Sequence, residues 1–93
     1  MIRSFRDDDT RRVFDRQVSR RLPADVQRPA LRKLLLIDGA ESLEDSRSPP
    51  GTRLEKLSGD RAGQHSIRVH DQWRICFVWR VSDAFEVEIT DYH

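Results

Sequence analysis

The stretch G-Q-H-S-I-R-V-H-D-Q-W-R-I-C-F-V-W-R-V-S-D-A-F-E-V-E-I-T-D-Y-H, residues 63–93, decides how the rest of the chain must fold. Three runs rich in Val, Ile, Phe and Trp are broken at Asp71-Gln72 and Ser82-Asp83, the pattern of an antiparallel meander. Side chains alternate between the two faces of a strand, so parity sorts them. Ile67, Val69, Trp73, Ile75, Phe77, Trp79, Phe85, Val87 and Ile89 are odd; Ser66, Arg68, His70, Arg74, Arg80, Glu86, Glu88 and Thr90 are even. A three-residue loop that sets Val69 facing Trp73 keeps the odd set on one apolar face and lays Arg68 across from Arg74. A two-residue turn at Asp71-Gln72 would mix the faces, so the longer loop is expected. Setting Trp79 opposite Phe85 then places Arg74 against Thr90, with Tyr92 diagonally near. One face is left to bury, and the other gathers Arg68, Arg74 and Tyr92.

The cover for the apolar face lies upstream. Ala24 to Gly39 carries Val26, Ala30, Leu31, Leu34, Leu35 and Ile37 at helical spacing, and Gly39 is a natural stop. Pro29 removes a backbone donor, so this helix either begins near it or bends there. Asp7, Asp8 and Asp9 suit a helix N-terminus, and Val13, Phe14 and Val18 continue an apolar stripe, which predicts a first helix of about ten to twelve residues. Met1 to Phe5 alternates like an edge strand, and Thr52 to Leu57 alternates weakly enough to join the sheet. Ser42 to Asp45 reads as a helical turn, Ser48-Pro49-Pro50-Gly51 as a rigid one, and residues 58–63 as a glycine-bounded loop without P-loop spacing. The expectation is a single α+β domain over residues 1–93, two N-terminal helices packed on a curved antiparallel sheet.

Composition narrows the function. A lone cysteine, Cys76, excludes an internal disulfide framework and, amid apolar residues, reads as structural. No apolar run approaches the roughly 20 residues of a membrane span, and no signal-peptide core is present, so a cytoplasmic protein is expected. Net charge is only +1, yet it is segregated: residues 1–33 carry +5 and residues 47–80 carry +4, while residues 34–46 and 81–93 carry −4 each. Fifteen of the 17 basic residues are Arg, the planar fork suited to phosphate, although a GC-rich genome would give the same bias. His65, His70 and His93 show no metal-ligand spacing, and neither a metal nor a cofactor is expected.

Cutting RNA without a metal requires a base for the 2′-hydroxyl, cations for the crowded transition state, and an acid for the leaving oxygen. Arg68 and Arg74 offer the cations, and His93, Tyr92, His65 and Asp91 are candidates for proton transfer. The same arginines also read as cross-strand partners of Glu86 and Glu88, and Tyr92 as a cap on the core.

The run R-L-E-K-L-S-G-D-R-A-G-Q-H-S-I-R-V-H-D-Q-W-R-I-C-F-V-W-R from Arg53 and the closing V-E-I-T-D-Y-H resemble HigB toxins of the RelE/ParE superfamily, particularly the GraT-like branch. M-I-R-S-F, A-L-R-K-L, S-L-E-D and S-P-P-G agree more weakly. The resemblance implies cleavage of messenger RNA on the ribosome, neutralisation by a HigA-like helix-turn-helix antitoxin, and contact with operator DNA through that antitoxin. It implies charge stabilisation by Arg74, and positioning and proton transfer by Asp91, Tyr92 and His93. Glu55 and Ser58 stand where some relatives have His and Lys, which implies slow or moderate activity, with His65 as a substitute base. Arg47, Arg53, Lys56, Arg61 and Arg68 are the expected contacts to RNA and ribosome. Two readings compete: a ParE-like inhibitor of DNA gyrase, and a degenerate toxin acting only in operon repression.

Overall fold

A computed structural model describes residues 1–47, 54–70 and 72–91. Helix α1 spans Asp8–Phe14 and α2 spans Ala24–Gly39; strands β1 (Glu55–Lys56), β2 (Gln64–His70), β3 (Trp73–Arg80) and β4 (Asp83–Thr90) follow. The strands form one antiparallel sheet in the order β1-β2-β3-β4. The meander and its two covering helices are therefore as the sequence predicts.

Helix α1 starts where Asp7 accepts a 2.7 Å hydrogen bond from the Thr10 amide, and it is shorter than the stripe suggests. Arg16 adopts a left-handed φ of 63°; its amide donates to the Val13 carbonyl, and that of Gln17 donates to Arg12. This pair of bonds is a Schellman ending, which stops the helix before Val18 and leaves that residue 78% exposed. Pro29 lies inside α2 without ending it. The donor it lacks would have served Asp25, in the exposed first turn, where water satisfies a carbonyl.

Val26, Ala30, Leu34 and Ile37 of α2, with Val13 and Leu22, pack on Ile67, Ile75, Phe77, Ala84, Val87 and Ile89 of the sheet. Thr10 is the polar stitch in this layer: fully buried, its Oγ1 accepts a 3.0 Å bond from the Ile89 amide. The N-terminal segment runs beside β4 through parallel bridges Ile2–Ala84 and Phe5–Val87, confirming its edge position.

Both hairpins contain an irregularity that periodicity does not announce. In the first, Arg68 pairs with Arg74 as expected, but His70 pairs with Trp73. Val69 is the extra residue, so a bulge does what a three-residue loop was expected to do, and the faces stay sorted. In the second, Arg74 pairs with Thr90 and Cys76 with Glu88, but Val78 pairs with Phe85 and Trp79 with Ala84. Two residues of β4, Glu86 and Val87, oppose Phe77 alone, and Glu86 takes a left-handed φ of 52°. The expected Trp79–Phe85 pair is therefore incorrect: Ala84 enters the core, and Phe85 turns to the other face.

The turn expected at Ser48 to Gly51 lies outside the described residues. Leu43–Arg47 forms the short 3-10 turn anticipated for that region, and β1 realises the weak strand.

Candidate active site

Helices cover one face of the sheet, and parity gives the other face to the even positions of β2 and β3. Register arranges that open face in rows. Glu55, Ser66, Cys76 and Glu88 stand side by side across all four strands. Arg68, Arg74 and Thr90 form the next row, and Gln64, Val78 and Phe85 lie on the opposite side of the first.

Arg74 is the most constrained cation of this face. Its Nε donates a 2.8 Å hydrogen bond to Ser66 Oγ, and its Nη2 lies 3.7 Å from Glu55 Oε1. Its side chain is only 15% exposed, whereas that of Glu55 is 56% exposed. The guanidinium is thus anchored from below by a fully buried hydroxyl and reached from the edge strand by a carboxylate that solvent screens. Arg68, opposite, brings a second cation to the row and forms no ion pair among the described residues.

Arg61 arrives from the short 3-10 turn Gly59–Arg61, which Gly59 and Gly63 frame with φ values of 64° and 91°. Its Nη1 donates to Gln64 Oε1 at 3.2 Å and to Glu88 Oε1 at 3.1 Å, and Arg6 Nε lies 3.8 Å from the other oxygen of Glu88. Cys76 sits at the centre of this polar array and is 1% exposed. Burial and the Glu88 carboxylate push its thiol up to about 11 against the pull of Arg61, Arg74 and Arg6, which leaves it inert.

Other predicted site residues fall elsewhere. His65 pairs with Phe77 and Lys56 on the helix-covered side, its ring stacked on Phe77 at 6.3 Å. Its Nδ1 is buried without a hydrogen-bond partner, and burial and the charge of Lys56 lower its pKa. One residue of parity separates it from Ser66, so the sheet lies between its ring and Arg74. Lys56 is exposed on that same side. Asp91 is exposed and directly follows Thr90, the partner of Arg74. Arg47 ends its 3-10 turn. Arg53, Tyr92 and His93 lie outside the described residues.

Ser66 and Gln64 are not singled out by sequence reasoning, and Glu88 enters it only as a cross-strand partner for Arg68 or Arg74. The Arg68–Arg74 register held the signal for Ser66, since it makes Ser66 a diagonal neighbour of Arg74 on the same face. Nothing comparable marked Glu88 as the anchor of Arg61.

This arrangement of helices, meander and arginine-bearing face is that of a RelE-like toxin. Residues 3–93 match the family of the RelE-like toxin of type II toxin-antitoxin system HigB, and the chain belongs to that HigB-like toxin family. It is 37% identical over 78 residues to Toxin HigB-1 of Vibrio cholerae, covering 84% of this chain and 75% of the relative. It is 36% identical to Endoribonuclease HigB of Proteus vulgaris over the whole of both chains. An uncharacterised Haemophilus influenzae protein is 34% identical over 86% of this chain and 80% of its own length. No described helix is long and apolar enough to cross a membrane.

Proposed function

We propose that this chain is the toxin of a type II toxin–antitoxin module and acts as an endoribonuclease, cutting messenger RNA on the ribosome without a metal and so halting translation. The observation that carries the reading is the placement of Arg74, anchored by Ser66, opposite Arg68 and beside the strand end that leads into Asp91. Cleavage by the neighbouring 2′-oxygen forms a new P–O bond as the 5′-oxygen leaves, and negative charge accumulates on the phosphoryl oxygens between these events. A fixed, always-charged fork at that point stabilises the transition state more than the ground state. Asp91, Tyr92 and His93 supply positioning and proton transfer in this reading, Arg61 and Arg68 bind the flanking backbone, and Arg47, Arg53 and Lys56 contact RNA and ribosome. Glu55 competes with phosphate for Arg74, which supports slow or moderate turnover.

The expected partner is a HigA-like helix-turn-helix antitoxin that silences the toxin and brings it to operator DNA; the expected site of action is the cytoplasm. The test is to map ribosome-bound mRNA ends after expression of the wild type, Arg74→Ala and His93→Ala. Cleavage and growth arrest are expected for the wild type and lost in both variants. Intact cleavage in both variants refutes the site, and arrest of DNA synthesis before protein synthesis refutes the activity.

A further inference from the structure

We propose that Phe85 and Arg80 form a base-stacking subsite on the helix-free face, receiving an unpaired RNA base that flanks the phosphate held at Arg74. The inference rests on the ribonuclease reading above and adds a residue that parity assigns to the core. The bulge at Glu86 takes Phe85 out of the core face and pairs it with Val78, two rows from Arg74, while the small Ala84 fills the place opposite Trp79. A phenylalanine is thereby half-exposed, at the expense of its burial and with a non-glycine residue in the left-handed region next to it. Strain that moves an aromatic ring from a core to a charged face is the reverse of what packing alone favours.

The surroundings suit a single strand of RNA. Arg80 places its guanidinium carbon 5.6 Å from the centre of the Phe85 ring, inside the roughly 6 Å range of cation–π attraction. Val78 lies four positions along β3 from Arg74, roughly 13 Å of extended strand, which keeps the ring away from the scissile bond and within the span of the flanking nucleotides. The row between the ring and Arg74 is Ser66, Cys76 and Glu88, and the Glu88 carboxylate there is held by Arg61 at 3.1 Å and by Arg6 at 3.8 Å. Aromatic rings beside arginines are how proteins hold splayed bases, stacking one face of the base and neutralising the adjoining phosphate.

The probe is an mRNA made uncleavable by a 2′-O-methyl group at the cut site, carrying 2-aminopurine at positions flanking that site and presented on ribosomes. Wild-type protein is expected to quench the fluorophore at one flanking position. Phe85→Leu should lose that quenching and, on the unmodified mRNA, raise the concentration for half-maximal cleavage about tenfold with little change in maximal rate. Phe85→Tyr, which keeps the ring, should retain both properties and excludes a folding defect at this position. Equal quenching by Phe85→Leu overturns the subsite, as does the absence of any quenched position with wild type. So does a Phe85→Leu protein that cleaves normally but escapes its antitoxin, since the face then serves a protein partner. Arg74→Ala on the unmodified mRNA separates the levels: its loss of cleavage upholds the enzyme whatever Phe85 does, and unchanged cleavage sinks the reading beneath both.

Discussion

Ser66 Oγ accepts a 2.8 Å hydrogen bond from Arg74 Nε although the two residues are not paired; Ser66 faces Cys76, and Arg74 faces Arg68. The bond runs diagonally between β2 and β3 and orients a guanidinium from a hydroxyl that water cannot reach. Hydrogen bonds to charged groups contribute about 1.5–3 kcal/mol, enough for a tenfold effect when geometry matters. Ser66→Ala is expected to lower the maximal rate of mRNA cleavage about tenfold with a smaller change in half-saturation, and Ser66→Thr to recover part of it. Unchanged rates would mean that Arg74 orients itself.

Glu55 reaches the same guanidinium from a position exposed enough for solvent to screen the pair. Such pairs are worth about 0–1 kcal/mol, so removing the charge frees Arg74 for phosphate by at most about fivefold. Glu55→Gln should raise cleavage at limiting ribosome concentration by that order. A fall in activity would instead make Glu55 the base.

Thr10→Val retains the shape of a fully buried side chain but deprives the Ile89 amide of its acceptor. An unsatisfied buried amide costs about 1–3 kcal/mol. Urea denaturation should show that loss of stability, with the slope unchanged.

His65 gives the fold a pH dependence whose sign follows from its surroundings. Burial and Lys56 hold its pKa below the ordinary 6.5, so the unfolded chain takes up a proton that the folded chain resists. Its contribution is therefore full above 6.5, declines as pH falls toward the folded pKa, and levels off below it. His65→Phe should shrink the drop in melting temperature between about pH 7.5 and 5.5. An identical drop in both proteins would assign the effect to other groups.

Cys76, with its thiol pushed up to about 11 and 1% exposed, should resist thiol reagents in the native state and react promptly in urea. Fast native labelling would show that the Arg61 and Arg74 side chains open from above it.

The D-Q-W-R run illustrates how far the chain can be read unaided. Period-two alternation placed Ile67, Ile75, Val87 and Ile89 in the core and Arg68 across from Arg74, because burial of one face penalises any slip of register. Helix α2 was legible for the same reason, its apolar residues recurring every three or four positions. Phe85 was misread because a bulge inserts one residue into the count and reverses parity beyond it, with no composition signal at Glu86. The face of His65 follows from alternation alone, which sends it and its neighbour Ser66 to opposite sides of β2.

The sequence by itself determined the meander, the helix that covers it, the Arg68–Arg74–Thr90 row and membership of the HigB-like toxins, since hydrophobic periodicity and motif spacing are local properties of the chain. Only the tertiary structure decided that Ser66 and Glu55 hold Arg74, that Glu88 holds Arg61, and that Phe85 faces outward. These depend on which strands lie side by side and where a single left-handed residue shifts the pairing, and both are settled by the packing of the whole sheet.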